Sequence, residues 1–79
     1  MNRVIVYSTP TCSYCVMAKK YLQEQGIEFE EKDVSKDTQA AAEMVQKSGQ
    51  QGVPVIEING EILIGFNKQD IDWLLNITT

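Results

Sequence analysis

The sequence predicts an α/β fold in which one mixed four-stranded sheet carries helices on its faces, in the order βαβαββα. Three observations predict it. The β-branched run "RVIVYS" at residues 3–8 gives way, after a short turn, to a helical spacing that ends at Gly26. A second strand and a second helix follow. Asn59-Gly60 then separates two apolar segments, which is the pattern of a two-residue hairpin. A parallel βαβ unit and an antiparallel hairpin in 79 residues fit together as one sheet.

The elements follow in order. "RVIVYS" reads as a buried or half-buried strand, and Pro10 in "TPTC" stops it. From Ser13 to Gln25 the positions Cys15, Ala18, Leu22 and Gln25 make a helical stripe flanked by Tyr21, and Gly26 suits the left-handed end. "IEFEEKDV" alternates at its start, with Ile27 and Phe29 on one face, and predicts the second strand. Ser35 is the expected N-cap of the next helix, with Asp37 favouring its positive end. Ala41, Met44, Val45 and Ser48 are its expected inner face, and Gly49 ends it. "QQGVPVIEI" leads into the third strand and "EILI" is the fourth. Asn67 then caps a last helix, with Asp70 three residues on and Ile71, Leu74 and Leu75 facing inward. No repeat, linker or low-complexity stretch interrupts the pattern, so one domain over residues 1–79 is expected.

Composition narrows the function classes. Hydrophobic residues make up 43% and charged residues 23%, as in an ordinary soluble globular protein. No apolar run suits a membrane span, and the start is not expected to act as an export signal. A cytoplasmic location follows as the expectation, and structural disulfides are rare there. The net charge is −4 and the seven Lys and Arg form no basic stripe, so a nucleic-acid partner is not expected. The acidic stretch "EFEEKD" reads as a solvated strand edge, with an acidic docking patch as the alternative. The chain has no His, which removes the usual general base and the usual nitrogen ligand.

The chemistry rests on the two cysteines, Cys12 and Cys15, which stand three positions apart. As a staple they would close a loop too short to stabilise much. As a metal site they would need ligands from a second subunit or a small thiol, since the chain supplies two thiols and no His. As a redox pair they are well placed. Cys12 stands where the turn meets the helix, where unpaired N–H groups and the macrodipole favour a thiolate. Cys15 lies on the buried stripe and should be less ionised. Residues three apart on a helix lie within about 5–6 Å at Cβ, so modest adjustment brings them to bonding distance. Val53-Pro54 is the other feature. It is either a strand-edge device or a cis bond that turns the Val53 backbone toward an extended substrate.

"VYSTPTCSYC", "VPVIEINGE" and "IGF" together resemble the active-site, cis-proline and post-hairpin segments of the glutaredoxin family, a minimal form of the thioredoxin fold. The resemblance spans the whole chain. It is strongest to the YruB-type group, with similarity to the NrdH-type redoxins that reduce ribonucleotide reductase. It implies that Cys12 is the nucleophile, Cys15 the resolving thiol and Pro54 a cis proline beside them. Thr9, Pro10, Ser13 and Tyr14 would form the rim, Val53 would offer its backbone, and Gly65, Phe66 and Asn67 would complete the substrate site. For Tyr14 a partly exposed helix-start aromatic is the alternative, and for Phe66 plain core packing. The implied activity is dithiol reduction of protein or low-molecular-weight disulfides by a monomer with no bound cofactor. Electrons would come from glutathione or from NADPH through thioredoxin reductase.

Two departures qualify the pattern. Most family members have Pro between the cysteines where this chain has Ser13, and serine occurs there in members that hold an iron–sulfur cluster. A glutathione-ligated [2Fe–2S] carrier dimer is therefore the alternative function, and a redox-sensing adaptor a third. Glutathione-using members carry a basic residue where this chain has Ser8, and Gly-Gly, a small residue and Asp where it has "GFNKQD". The "GF" resembles the NrdH-type group.

Overall fold

The computed structural model describes residues 3–75. Within them the order is β1 (Val4–Ser8), α1 (Ser13–Glu24), β2 (Glu30–Asp33), α2 (Thr38–Ser48), β3 (Val55–Ile58), β4 (Glu61–Ile64) and α3 (Lys68–Leu75). Among the described residues the strands form one sheet in the order β2-β1-β3-β4. β1 runs parallel to β2 and antiparallel to β3, and β3 is antiparallel to β4. The expected βαβ unit and hairpin are both present. No helix among the described residues is long and apolar enough to cross a membrane.

All five residues of β1 are buried, because this inner strand is covered on both faces. Alternation divides its side chains between two cores. Val4 and Val6 pack with Leu22, Ile56, Ile58 and Ile71 beneath α1 and α3. Ile5 and Tyr7 pack with Ala40, Met44 and Val55 beneath α2. The hairpin turns on Asn59 and Gly60, with φ of 52° and 91°, the paired positive angles of a type I′ turn. Asn67 caps α3 as expected, its Oδ1 accepting the N–H groups of Gln69 and Asp70 at 3.1 and 3.3 Å.

Four local expectations change. The paired stretch of β2 is the polar "EEKD", and Ile27 and Phe29 precede it. The Ile27 N–H closes the end of α1 by donating to the Leu22 carbonyl at 2.9 Å, while both side chains still cover the α1 core. Gln25 is the exposed C-cap of α1 and lies off the buried stripe, which ends at Leu22. Asp37, and not Ser35, caps α2 by accepting the Ala40 N–H at 3.0 Å. The Ser35 hydroxyl is taken by Asp33 Oδ1 at 2.5 Å in the preceding turn. The buried stripe of α2 is Ala40 and Met44, with Ala41 and Ser48 half-buried and Val45 exposed. The observed face is offset by part of a turn from the expected one, because it is Ala40 and Met44 that pack against Ile5, Tyr7 and Val55.

The cap reassignment has a measurable consequence. Asp37→Ala should lower stability by about 1 kcal/mol in urea denaturation, whereas Ser35→Ala should cost less than half of that. Equal effects would contradict the assignment.

β2, paired to β1 at the sheet edge, carries an ion pair on each face. Glu31, opposite Val6, faces α1 and pairs with Lys19 at 2.5 Å. Lys32, opposite Tyr7, faces α2 and pairs with Glu43 at 3.2 Å. The strand is polar because its two faces are only partly covered, and ion pairs link them to α1 and α2.

Candidate active site

Register brings the separate motifs to one end of the sheet. Ser8 ends β1 beside Asp33, Val55 opens β3 opposite Tyr7, and Ile64 closes β4 opposite Val55. The segments leaving that end are the turn into Cys12, the Val53-Pro54 pair and the stretch that begins at Gly65. The peptide bond between Val53 and Pro54 is cis, Pro54 is buried and Val53 is half-buried. The Gly65 N–H donates to the Pro54 carbonyl at 2.8 Å. Gly65 has a φ of +83°, which favours glycine at this junction.

Cys12 is itself the N-cap of α1. Its backbone is extended, and its Sγ accepts the Cys15 N–H at 3.1 Å. The sulfur thus takes the position a Ser or Asp oxygen takes at other helix starts, facing donors that have no partner inside the helix. The Cys12 N–H in turn donates to the Thr9 carbonyl at 3.3 Å, closing the turn after β1. Cys12 is half-buried, Cys15 is fully buried, and both are free thiols. Burial pushes the Cys15 thiol up to about 12, and hydrogen bonding with Cys12 adds to this, while the Thr9 amide and the Lys19 ammonium act in the opposite direction. The two sulfurs therefore differ in access and environment. One faces the opening at a helix start; the other is stored behind it as a thiol.

Pro10, Ser13 and Tyr14 are exposed around Cys12, with Thr9 half-buried. Tyr14 is 62% exposed, and Val16 and Met17 add apolar surface on the same helix start. Neither of those two drew notice in the sequence, because an exposed apolar residue on a helix has no distinguishing local spacing. Phe66 and Asn67 have structural partners. The Phe66 ring packs 6.1 Å from that of Tyr21, against the α1 core, which is the core-packing alternative. Asn67 spends its side-chain oxygen on α3. Tyr21 also donates a hydrogen bond to Asp72, joining α1 to α3. An open groove of about 680 Å³ runs along α2 past Val34, Met44, Val45 and Gln51, and neither cysteine lines it.

Ser8, Lys19 and Glu31 form a cluster beside the thiols to which no sequence pattern pointed. Ser8 is 1% exposed, and its Oγ donates to Glu31 Oε2 at 2.9 Å, the same oxygen that binds Lys19. The Lys19 ammonium first, then the Ser8 hydroxyl, hold the Glu31 carboxyl below the usual carboxylate range.

The glutaredoxin family model matches residues 4–63, which include both cysteines and Pro54. The chain belongs to the glutaredoxin family. It is 47% identical over 70 residues to a glutaredoxin-like 8.6 kDa protein of the rubredoxin operon of Clostridium pasteurianum, covering 89% of this chain and 93% of that one. It is 44% identical to a glutaredoxin of Neisseria meningitidis, covering 96% of this chain and 99% of its relative. Among solved structures, the thioredoxin-like protein BC3987 superposes with a TM-score of 0.85 at 31% identity, over 90% of this chain and 97% of that one. The fold is thioredoxin-like, and this family member is a thiol–disulfide oxidoreductase of the thioredoxin superfamily.

Proposed function

We propose that this glutaredoxin-family protein is a cytoplasmic dithiol electron donor that reduces disulfides of proteins or small molecules as a monomer. Cys12 attacks the substrate disulfide, and Cys15 resolves the mixed disulfide. Val53, with Thr9, Pro10, Ser13 and Tyr14, forms the surface that receives the substrate. No bound cofactor takes part. The observation that carries this reading is the Cys12 sulfur seated as the N-cap of α1, with the buried Cys15 thiol directly behind it. The helix start, through the Cys15 N–H, supplies the sulfur with a backbone donor in a chain that has no histidine.

The reductant we favour is thioredoxin reductase with NADPH over glutathione. The stretch where glutathione-using members carry Gly-Gly, a small residue and Asp is Gly65-Phe66-Asn67-Lys68 here. Phe66 packs on Tyr21, and Asn67 caps α3. The Lys68 ammonium lies 5.4 Å from the centre of the Tyr21 ring. The Phe66 ring and the Asn67 side-chain oxygen are thus engaged within the fold. In parallel turnover assays on one disulfide substrate, NADPH with thioredoxin reductase should support faster reduction than glutathione with its own reductase. Equal or faster turnover with glutathione would reverse the choice of donor, and no turnover with either would refute the electron-donor role.

A further inference from the structure

The reaction needs Cys15 as a thiolate at the moment it attacks, yet this sulfur is fully buried. Desolvation disfavours the charged form, so any fixed positive charge nearby acts on the second half of the exchange. The groups acting on the Cys15 sulfur are Cys12 and Lys19 on α1 and the Thr9 amide at the end of β1. Lys19 is the cation among them. It lies four residues after Cys15 on one face of α1, and helical side chains lean toward the N-terminus, over the turn that carries Cys15.

Lys19 is also held in place. Its side chain is 23% exposed, and its ammonium is bound by Glu31 of β2 at 2.5 Å. Glu31 is fixed in turn by the buried Ser8 hydroxyl at 2.9 Å. Ser8 immediately precedes Thr9, whose carbonyl accepts the Cys12 N–H at 3.3 Å. The chain of contacts thus runs from α1 through β2 to the end of β1. Glu31 thus anchors the ammonium from the strand, while Lys19 itself stands on the helix that carries Cys15.

We propose that Lys19 is a positioning residue for the resolving step, its ammonium held by Glu31 and Ser8 so as to stabilise the Cys15 thiolate. This inference rests on the roles proposed for Cys12 and Cys15. In that step Cys15 releases its proton to solvent, and its sulfur attacks the Cys12 sulfur of the mixed disulfide. The Cys12–Cys15 bond forms as the bond from Cys12 to the substrate breaks, and the substrate leaves as a thiolate with the electron pair.

Ellman's reagent separates the two halves in one trace. Attack by Cys12 releases the first thionitrobenzoate, and attack by Cys15 on the resulting mixed disulfide releases the second. Both phases are followed by stopped-flow absorbance across a range of pH. In Lys19→Met the first phase should keep its wild-type rate, which also reports an intact fold. The second should slow by about threefold for each unit by which its pH midpoint rises, since a tenfold loss of thiolate is partly offset by greater nucleophilicity. Lys19→Arg, which keeps the charge, should restore both rate and midpoint. An unchanged midpoint in Lys19→Met would overturn the proposal even if the second phase slowed, because the loss would then be structural. So would a midpoint that Lys19→Arg fails to restore. Cys15→Ser is the control for the underlying reading: release of a second thionitrobenzoate at the wild-type rate would overturn the assigned roles themselves.

Discussion

Replacing Cys12 by serine should abolish disulfide reduction, and replacing Cys15 by serine should leave a protein that stalls as a mixed disulfide. Both follow from what each sulfur does in the geometry. Serine is a favoured N-cap, so Cys12→Ser keeps the start of α1 and the donor from Cys15. What it loses is the nucleophile, because a hydroxyl at this position has no base to ionise it in a chain without histidine. The loss should therefore be chemical, with a melting curve close to that of the wild type. Cys15→Ser keeps the attacking thiol and removes the group that releases the product. Intact-protein mass spectrometry after exposure to a disulfide should then find a single stable adduct, where the wild type shows the internal disulfide. Turnover by Cys12→Ser at the wild-type rate would sink the assignment.

Leu22→Ala should have the largest effect on stability. Leu22 is fully buried on α1 and belongs to the core that includes Val4, Val6, Ile58 and Ile71. Truncating its isobutyl group to a methyl leaves a cavity that the sheet and α3 cannot easily collapse into, at a cost of about 2–5 kcal/mol. A domain of this length is stable by about 5–15 kcal/mol at most, so the loss is a large fraction of the whole. Thermal unfolding followed by circular dichroism should show a midpoint lower by roughly 10–25 °C. A shift below about 5 °C would mean that α1 is held mainly by other contacts. Because α1 carries both cysteines, turnover at raised temperature should fail together with the fold.

Much of the architecture was legible in the sequence. The strand of residues 4–8, the helix from Ser13, the left-handed Gly26 and Gly49, the Asn59-Gly60 turn and the Asn67 cap all appear as expected. The placing of Cys12 at a helix start and of Cys15 on its buried stripe was legible for the same reason: both depend on spacings of a few residues. Where two local signals competed, the sequence could not choose. Ser35 and Asp37 are both good caps, and the choice fell to Asp37 because Asp33 had already engaged the Ser35 hydroxyl. The expected face of α2 missed by part of a turn because packing on Ile5, Tyr7 and Val55, and not local spacing, decided which side is buried.

By itself the sequence determined the order of elements, the turn chemistry and the thiol pair at the head of α1, since each is written in neighbours within one or two turns of chain. Tertiary structure alone decided the strand order β2-β1-β3-β4 and the meeting of Cys12, Val53-Pro54 and Gly65 at one sheet end. It also decided the isomer of the Val53-Pro54 bond, between forms that locally differ by only about 0.5–1 kcal/mol. The Ser8, Glu31 and Lys19 cluster belongs with these. Its members come from a strand, a second strand and a helix, and only the pairing register and the burial of Ser8 bring them together.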